Sequence, residues 1–477
     1  MSAPDTLLPR PRFHFTPRRN WMNDPNGLVH HDGLWHLFFQ YNPLGADWGN
    51  MSWGHATSTD LERWVEHPVA LPHRPGEQIY SGSVVVSSPG SRELTALYTS
   101  AYDDGHQAQS RATSTDGGMT WRPDPDNPVL DRGTSSFRDP KVIRVTDDDG
   151  TARWVLLAVE AEERRILFYS SPDLRTWEHL SDFGPYGEEG VVWECPDLFP
   201  LAVDGDPDHV AWVLTFSTNP VDGRSDPGGS SMSYFVGRFD GRAFTSATPD
   251  PLRLDHGTDF YAGVTFSDAP DAAVVMLGWM SNWRYAAAIP SAPWRGAMSL
   301  PRTLDLASTT AGPRLVQRPP ASIVERLARC APLHIAAHAE PTRLDLGDHF
   351  LLGLTWDGVR PGTTRLHLRG SADAFVVLEV ELDAAASVLT VTRGGPAMDA
   401  VHPNFPSTTH APLRDGLAGR MLVSVDGPLL EVFVDGGIVA SSHLVALGSG
   451  GVTATVSSDA ADVELTVADP VGDPGPA

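Results

Sequence analysis

The chain has 477 residues, more than one ordinary domain needs, and its Gly 44, Pro 41 and Trp 14 among many short apolar runs exclude a helical bundle and read as an all-β protein. A formal charge of −25 would repel nucleic acid, anionic phosphates and anionic membranes and leaves a neutral substrate. Cys195 and Cys330, the only cysteines, are too few for a disulfide scaffold or a zinc module, and no cofactor or metal is expected.

The first stretch that carries information is Trp21-Met22-Asn23-Asp24-Pro25-Asn26-Gly27. Asp24 precedes a proline, which disfavours helical backbone and predicts an extended residue at a strand end. Asn26-Gly27 tolerates positive φ and is expected to turn the chain, so that Leu34–Gln40 returns as a strand. His30-His31, followed by Asp32-Gly33, looks like a hairpin tip rather than a ligand pair.

A Ser-x-Asp…Trp pattern then repeats: Ser58-Thr59-Asp60…Trp64, Ser114-Thr115-Asp116…Trp121 and Ser171-Pro172-Asp173…Trp177, with a degenerate copy at Asp240. Repeats of this length holding several short strands read as propeller blades, with the marker as a turn between outer strands. Four marked copies plus the unmarked segment from about Asp259 to Leu306 give a five-bladed β-propeller over residues 1–318. Residues 319–331 read as a linker with a short helix and Ser322 as its N-cap. Period-two runs at 364–369, 375–382, 389–392, 430–437 and 463–467 predict a C-terminal β-sandwich over 332–468. The Pro-, Gly- and Asp-rich tail 469–477 is expected to be disordered.

The repeat also places three acids, Asp24, Asp139 in Phe137-Arg138-Asp139-Pro140, and Glu194 in Trp193-Glu194-Cys195-Pro196, early in separate blades, where the innermost strand lines the axis. Each lies at or next to a pre-proline position, so all three are expected in extended backbone. Taken singly, Asp24 reads as a turn former, Arg138-Asp139 as an ion pair and Glu194 as a rim charge. Together they suit glycoside hydrolysis, in which one ionised carboxylate attacks the anomeric carbon and a protonated one releases the leaving group. Trp193 and Cys195 are expected to desolvate Glu194, and Asn23 to keep Asp24 ionised. Trp21, Trp48, Trp53, Tyr261 and Trp283 supply aromatic faces for a sugar. No phosphate loop, His-Glu-x-x-His, Cys-x-x-Cys or Gly-x-Ser-x-Gly elbow occurs.

These motifs resemble glycoside hydrolase family 32, the invertases, exo-inulinases and levanases. Trp21–Gly27 resembles its nucleophile motif, Arg138-Asp139-Pro140 its transition-state-stabilising motif and Glu194-Cys195 its acid/base motif. Gln40-Tyr41-Asn42-Pro43, Trp53-Gly54-His55-Ala56, Tyr80-Ser81-Gly82-Ser83, Asp259–Gly263, Gly278-Trp279-Met280 and Ser299–Arg302 follow in the family's order. The resemblance implies a propeller followed by a sandwich and a retaining mechanism. It further implies Asp24 as nucleophile, Glu194 as acid/base, Asp139 on fructosyl hydroxyls, and Trp21, Asn23, Gln40, Trp48, Tyr80, Ser81, Arg138, Tyr261 and Trp283 around the substrate. Tyr80 stands where the family usually has Phe, and Asp426-Gly427-Pro428 replaces the usual arginine-serine lead before Glu431. Release of terminal β-D-fructofuranosyl units from fructans, fructo-oligosaccharides and sucrose is the leading expectation. The alternatives are an invertase, a fructosyltransferase sharing the covalent intermediate, and a non-catalytic fructan-binding protein. The sequence as written shows no signal peptide or membrane span and reads as cytoplasmic, or as secreted if a leader has been removed.

Overall fold

The computed structural model describes residues 8–469, apart from 148, 222–227, 247, 357–360, 372, 383–386 and 414–418. The chain is all-β, a five-bladed propeller followed by a β-sandwich, and among the described residues no helix is long and apolar enough to cross a membrane. Blade one comprises Asn20–His31, Leu34–Tyr41, Ser52–Ser58 and Val65–Leu71; blade two, Glu77–Val86, Leu94–Tyr102, Gln107–Ser114 and Arg122–Pro123; blade three, Phe137–Thr146, Ala152–Glu160, Arg165–Ser171 and Glu178–Phe183. Blade four comprises Val191–Val203, Asp206–Pro220, Ser231–Phe239 and Phe244–Ser246, and blade five Tyr261–Thr265, Val275–Trp279, Arg302–Ala307 and Arg314–Arg318. Blades four and five form one nine-stranded sheet, because the long first strand of blade four reaches Val203, which pairs with Leu306. The ring closes where Asn20 and Trp21 pair in parallel with Trp294 and Arg295.

The repeated marker is the turn between third and fourth strands. Ser58 and Ser171 each accept an amide, from Leu61 and Leu174, at 2.8 Å, and Ser114 accepts that of Gly118 at 3.0 Å. Asp60 and Asp173 cap the amides of Arg63 and Thr176 at 2.8 and 2.9 Å, and Trp64, Trp121 and Trp177 fold back onto blade cores. Short hydroxyl and carboxylate side chains satisfy turn amides that would otherwise lack partners.

Two local expectations fail in the propeller and the linker. The first strand runs through Asn26-Gly27 to His31, and the hairpin turns at Asp32-Gly33 instead; Gly27 does take φ +50, but inside a bulge between Asn26 and Val29. Ser322 caps nothing: the helix is Ala321–Ala328, Pro320 occupies the N-cap, and the Ser322 hydroxyl is buried without a partner. That helix turns Ile323 and Leu327 into an apolar cluster with Leu300, Leu351 and Phe433.

The sandwich stacks two six-stranded antiparallel sheets. Strands such as Phe375–Leu382 and Val452–Ser458 alternate because one face is buried against the other sheet. The strand expected to reach 437 ends at Val434, where Asp435 takes φ +52 and the chain turns. Of the tail from 469, residues 470–477 lie outside the described residues.

Buried charges join the two domains. Arg302 donates to Asp255 at 2.8 Å and to Glu431 at 2.6 Å, and His14 bridges Asp426 and Glu431 at 2.8 and 3.0 Å. Burial opposes a charged imidazole, but the hydrogen bonds and charges of Asp426 and Glu431 outweigh it and raise the His14 pKa to about 9. The resulting stability is complete below the unfolded-state value and is lost as pH rises through about 9. Thermal scans should therefore show the melting temperature falling between about pH 7 and about pH 10, with His14→Gln losing about 3 kcal/mol at the lower pH and flattening that fall.

Candidate active site

Each innermost strand breaks register near its axial start, and those of blades one and four break it a second time further along. The axial breaks lie between Met22 and Pro25, Ile79 and Gly82, Arg138 and Lys141, Glu194 and Asp197, and Tyr261 and Val264. A bulge leaves its residues unpaired and re-aims their side chains; here these residues are Asn23-Asp24, Tyr80-Ser81, Asp139-Pro140, Cys195-Pro196 and Ala262-Gly263. Asp139, Cys195 and Ala262 have φ +61, +48 and +52, so the extended backbone expected at Asp139 is not what forms. The bulge overrides the pre-proline preference, and each freed amide is captured by the preceding blade. Asp139 N donates to Thr99 Oγ1 at 2.9 Å, Cys195 N to Asp139 Oδ2 at 2.9 Å, and Ala262 N to Ser217 Oγ at 3.0 Å.

The three acids of three blades meet at one end of the axis. Asp24 is held on both oxygens, by Asn23 Nδ2 at 3.0 Å and Ser81 Oγ at 2.7 Å, and Trp21 Nε1 fixes Asn23 in turn at 2.8 Å. The Cys195 sulfur lies 3.6 Å from Asp24 Oδ2 and 3.7 Å from Asp139 Oδ2, a thiol between two carboxylates. Arg138 reaches Glu194 Oε1 with Nε and Nη2 at 3.2 and 3.1 Å, while Tyr261 OH donates to Glu194 Oε2. Arg138 thus pairs with Glu194 rather than with its neighbour Asp139. Trp193 and Cys195 do not enclose Glu194 as expected: the Trp193 ring packs on Phe216 in a blade core, and the Cys195 sulfur faces the two aspartates. Adjacent residues of a strand point to opposite faces, so flanking sequence is a poor guide to surroundings.

Three carboxylates and one guanidinium leave the site short of positive charge. Burial raises the pKa of Asp24; Ser81 and Asn23 counter it, and the charge of Glu194 adds to it. Asp139 is pushed up to about 7, chiefly by burial, against the pull of Arg138 and with repulsion from Glu194 and Asp24. The Asn23 hydrogen bond favours the ionised Asp24, in the direction expected, but desolvation is the larger effect and leaves the pKa above the ordinary carboxylate value.

Aromatic rings form the wall. Trp21 stacks on Trp283 with centroids 6.0 Å apart, Trp283 lies 4.9 Å from Trp279, and Trp48 meets the Tyr80 ring edge-on at 6.1 Å. Trp48 is 47% exposed on a loop outside the inner strands. Trp53 is fully buried, donating to the Tyr80 carbonyl, and serves the core. Gln40 is also buried; its amide donates to the Ile79 carbonyl at 3.1 Å behind the site.

Several participants escaped the sequence reading. Thr99 and Gln107 reach the site from blade two, Gln107 accepting from Arg138 at 3.3 Å; both lie on strands of unmarked composition. A cavity of about 20 Å3 is lined by Asp139, Ser81, Cys195 and Lys141, the last of which donates to Asp197 and to the Thr265 carbonyl at 3.0 and 2.7 Å. The Lys and Asp follow Asp139-Pro140 and Cys195-Pro196 at the same offset, which was the available signal. A larger cavity, about 640 Å3, opens elsewhere among His31, Arg144, Trp154 and Asp268, and none of the three acids lines it. Among the described residues no His, Cys, Asp and Glu group is arranged to hold a metal ion.

A model of the glycosyl hydrolases family 32 N-terminal domain matches residues 14–319. The chain belongs to glycosyl hydrolase family 32. Family 32 relatives span both domains: an extracellular exo-inulinase of Aspergillus niger is 36% identical over 474 residues, covering 89% of this chain and 87% of its own. A levanase of Bacillus subtilis is 46% identical over 324 residues, 65% of this chain but only 46% of the levanase. The crystal structure of the exo-inulinase from Aspergillus awamori superposes with a TM-score of 0.87 at 33% identity, covering 96% of this chain and 98% of that one.

The raised Asp139 pKa makes a prediction for this family 32 site. A carboxyl whose pKa rises on folding costs stability once the unfolded chain ionises, progressively above about pH 4 and fully above about pH 7. Asp139→Asn is expected to raise the melting temperature by several degrees above pH 7, to leave it unchanged below pH 4, and to abolish turnover.

Proposed function

We propose that the chain is a retaining β-fructosidase that releases terminal β-D-fructofuranosyl units from fructans, fructo-oligosaccharides and sucrose. The observation that carries this reading is the convergence of Asp24, Asp139 and Glu194 from three blades, with Asp24 fixed on both oxygens and Glu194 clamped between Arg138 and Tyr261. Asp24 is the nucleophile. Its poor solvation favours attack, and the positive charge that develops on the sugar ring satisfies the carboxylates. Glu194 protonates the departing oxygen; once Asp24 is esterified, a negative charge beside Glu194 is gone, and Arg138 holds the ionised Glu194 to take a proton from water. Asp139 accepts hydrogen bonds from fructosyl hydroxyls, Arg138, Asn23 and Ser81 orient the ring, and Trp21, Trp48, Tyr80, Tyr261 and Trp283 supply the apolar wall, with Gln40 behind it.

Exo action is supported by burial: Asp24 and Asp139 are 8% and 6% exposed, which suits a chain end better than a polymer lying across the site. The related proteins of Aspergillus niger and Bacillus subtilis are an exo-inulinase and a levanase. Since polymeric fructan is met outside cells, the reading favours an extracellular setting over the cytoplasmic one.

Timed product analysis on sucrose, inulin and levan tests the proposal. Fructose should be the only early product from both polymers, and NMR should show it released as the β anomer before mutarotation. Short oligosaccharides would overturn exo action, and initial release of the α anomer would overturn retention. Asp24→Asn should lower kcat roughly 10^4-fold or more. Glu194→Gln should cost about 10^2- to 10^4-fold on sucrose but much less on p-nitrophenyl β-D-fructofuranoside, whose leaving group needs little protonation.

A further inference from the structure

The edge strand Val439–Leu444 of the sandwich ends its sheet, and its free side is covered by propeller residues 255–259. His256 N donates to the Ala440 carbonyl at 2.9 Å and Asp259 N to the Ser442 carbonyl at 3.0 Å. In return Ser442 N donates to Asp255 Oδ1 and Leu444 N to Asp259 Oδ2, both at 2.9 Å. The approach is so close that a Cβ on Gly257 would stand 2.0 Å from the Ser442 oxygen. Arg393, wholly buried on the other sheet of the sandwich, donates to Asp259 Oδ2 and to Tyr285 OH at 2.7 Å each, and Tyr285 OH donates to Asp259 Oδ1 at 2.7 Å. Arg302 lies over the next ring, Phe260, 4.0 Å from its centroid.

The residue after Phe260 is Tyr261, whose hydroxyl donates to Glu194 Oε2. Its ring is 1% exposed, so the hydroxyl goes where the backbone puts it. We infer that the sandwich sets the position of Tyr261, and through it of Glu194, with Arg393 as the positioning residue. A buried ion pair gives little net stability over an apolar contact, whereas a guanidinium fork fixes orientation. Asp259 is that orientation's lever, two residues from the hydroxyl. The sandwich is on this reading a working part of the catalytic domain rather than a cap. The inference rests on Glu194 being the proton donor of the proposed function.

A double-mutant cycle in the full-length enzyme tests it, with kcat/KM for sucrose and its pH profile as readouts. Arg393→Lys should lower kcat/KM about tenfold in the wild-type background and leave it nearly unchanged when Tyr261→Phe is already present. Its pH profile should shift in the same direction as that of Tyr261→Phe. Tyr285→Phe, which removes only one hydroxyl from the cluster, is cycled in parallel with an expected loss of about threefold, so the result does not depend on Arg393→Lys folding. Equal losses in both backgrounds would overturn the inference, as would folded variants with unchanged kcat/KM. Glu194→Gln serves as the reference: a variant with wild-type kcat/KM on sucrose would refute the assigned function itself, whereas one lowered about 10^2-fold or more, with additive cycles, would refute only the coupling.

Discussion

The interaction on which the molecule depends is the capture of a freed backbone amide by the neighbouring blade. Blades of a propeller share few ladder hydrogen bonds, and their packed faces alone would let one slide on the next. At three of the axial bulges, in blades three, four and five, a broken ladder releases an N–H in a dry environment, where it must find a partner. Thr99, Asp139 and Ser217 supply that partner across successive blade boundaries. The same bulges re-aim Asp139 and Cys195, and the bulge at Asn23-Asp24 does so for Asp24. Architecture and chemistry therefore share one local irregularity, and neither exists without the other.

The cost of this arrangement is electrostatic. Asp24 and Asp139 are nearly dry, and among the described residues Arg138 alone forms an ion pair with any of the three acids, so burial and mutual repulsion raise the pKa of both aspartates. On the proposed mechanism such a site favours a cationic passing state over the neutral sugar that enters. The Lys141–Asp197 pair, bonded into Thr265, ties blades three, four and five together.

Much of this was legible in the chain. The Ser-x-Asp…Trp marker gave the repeat because turn chemistry is local, and the acids could be placed early in their blades by counting from it. The five bulges left a trace too: Pro25, Gly82, Pro140, Pro196 and Gly263 each occupy the second or third place after the last paired residue. What a sequence does not carry is which side chain faces which across the axis. Arg138 reads as the partner of Asp139 because they are neighbours, yet a strand sends neighbours to opposite faces, and Glu194 is its partner. Asn26-Gly27 reads as a turn because those residues dominate turns, but a buried bulge asks for the same positive φ. The fate of Glu431 was equally hidden: an acid within an apolar run has no local reason to be there, and its partners His14 and Arg302 lie in other parts of the chain.

The junction of Arg302, Glu431, Asp255 and His14 also bears on how such two-domain chains diversify. A charge buried in this way cannot lose one partner without stranding the other, at roughly 3–5 kcal/mol, so single substitutions on either side are nearly closed to drift. Grafting a foreign sandwich onto this propeller would strand several charges at once. The two halves are consequently a matched pair, and substitutions that strand no charge are those in exposed loops such as the one bearing Trp48.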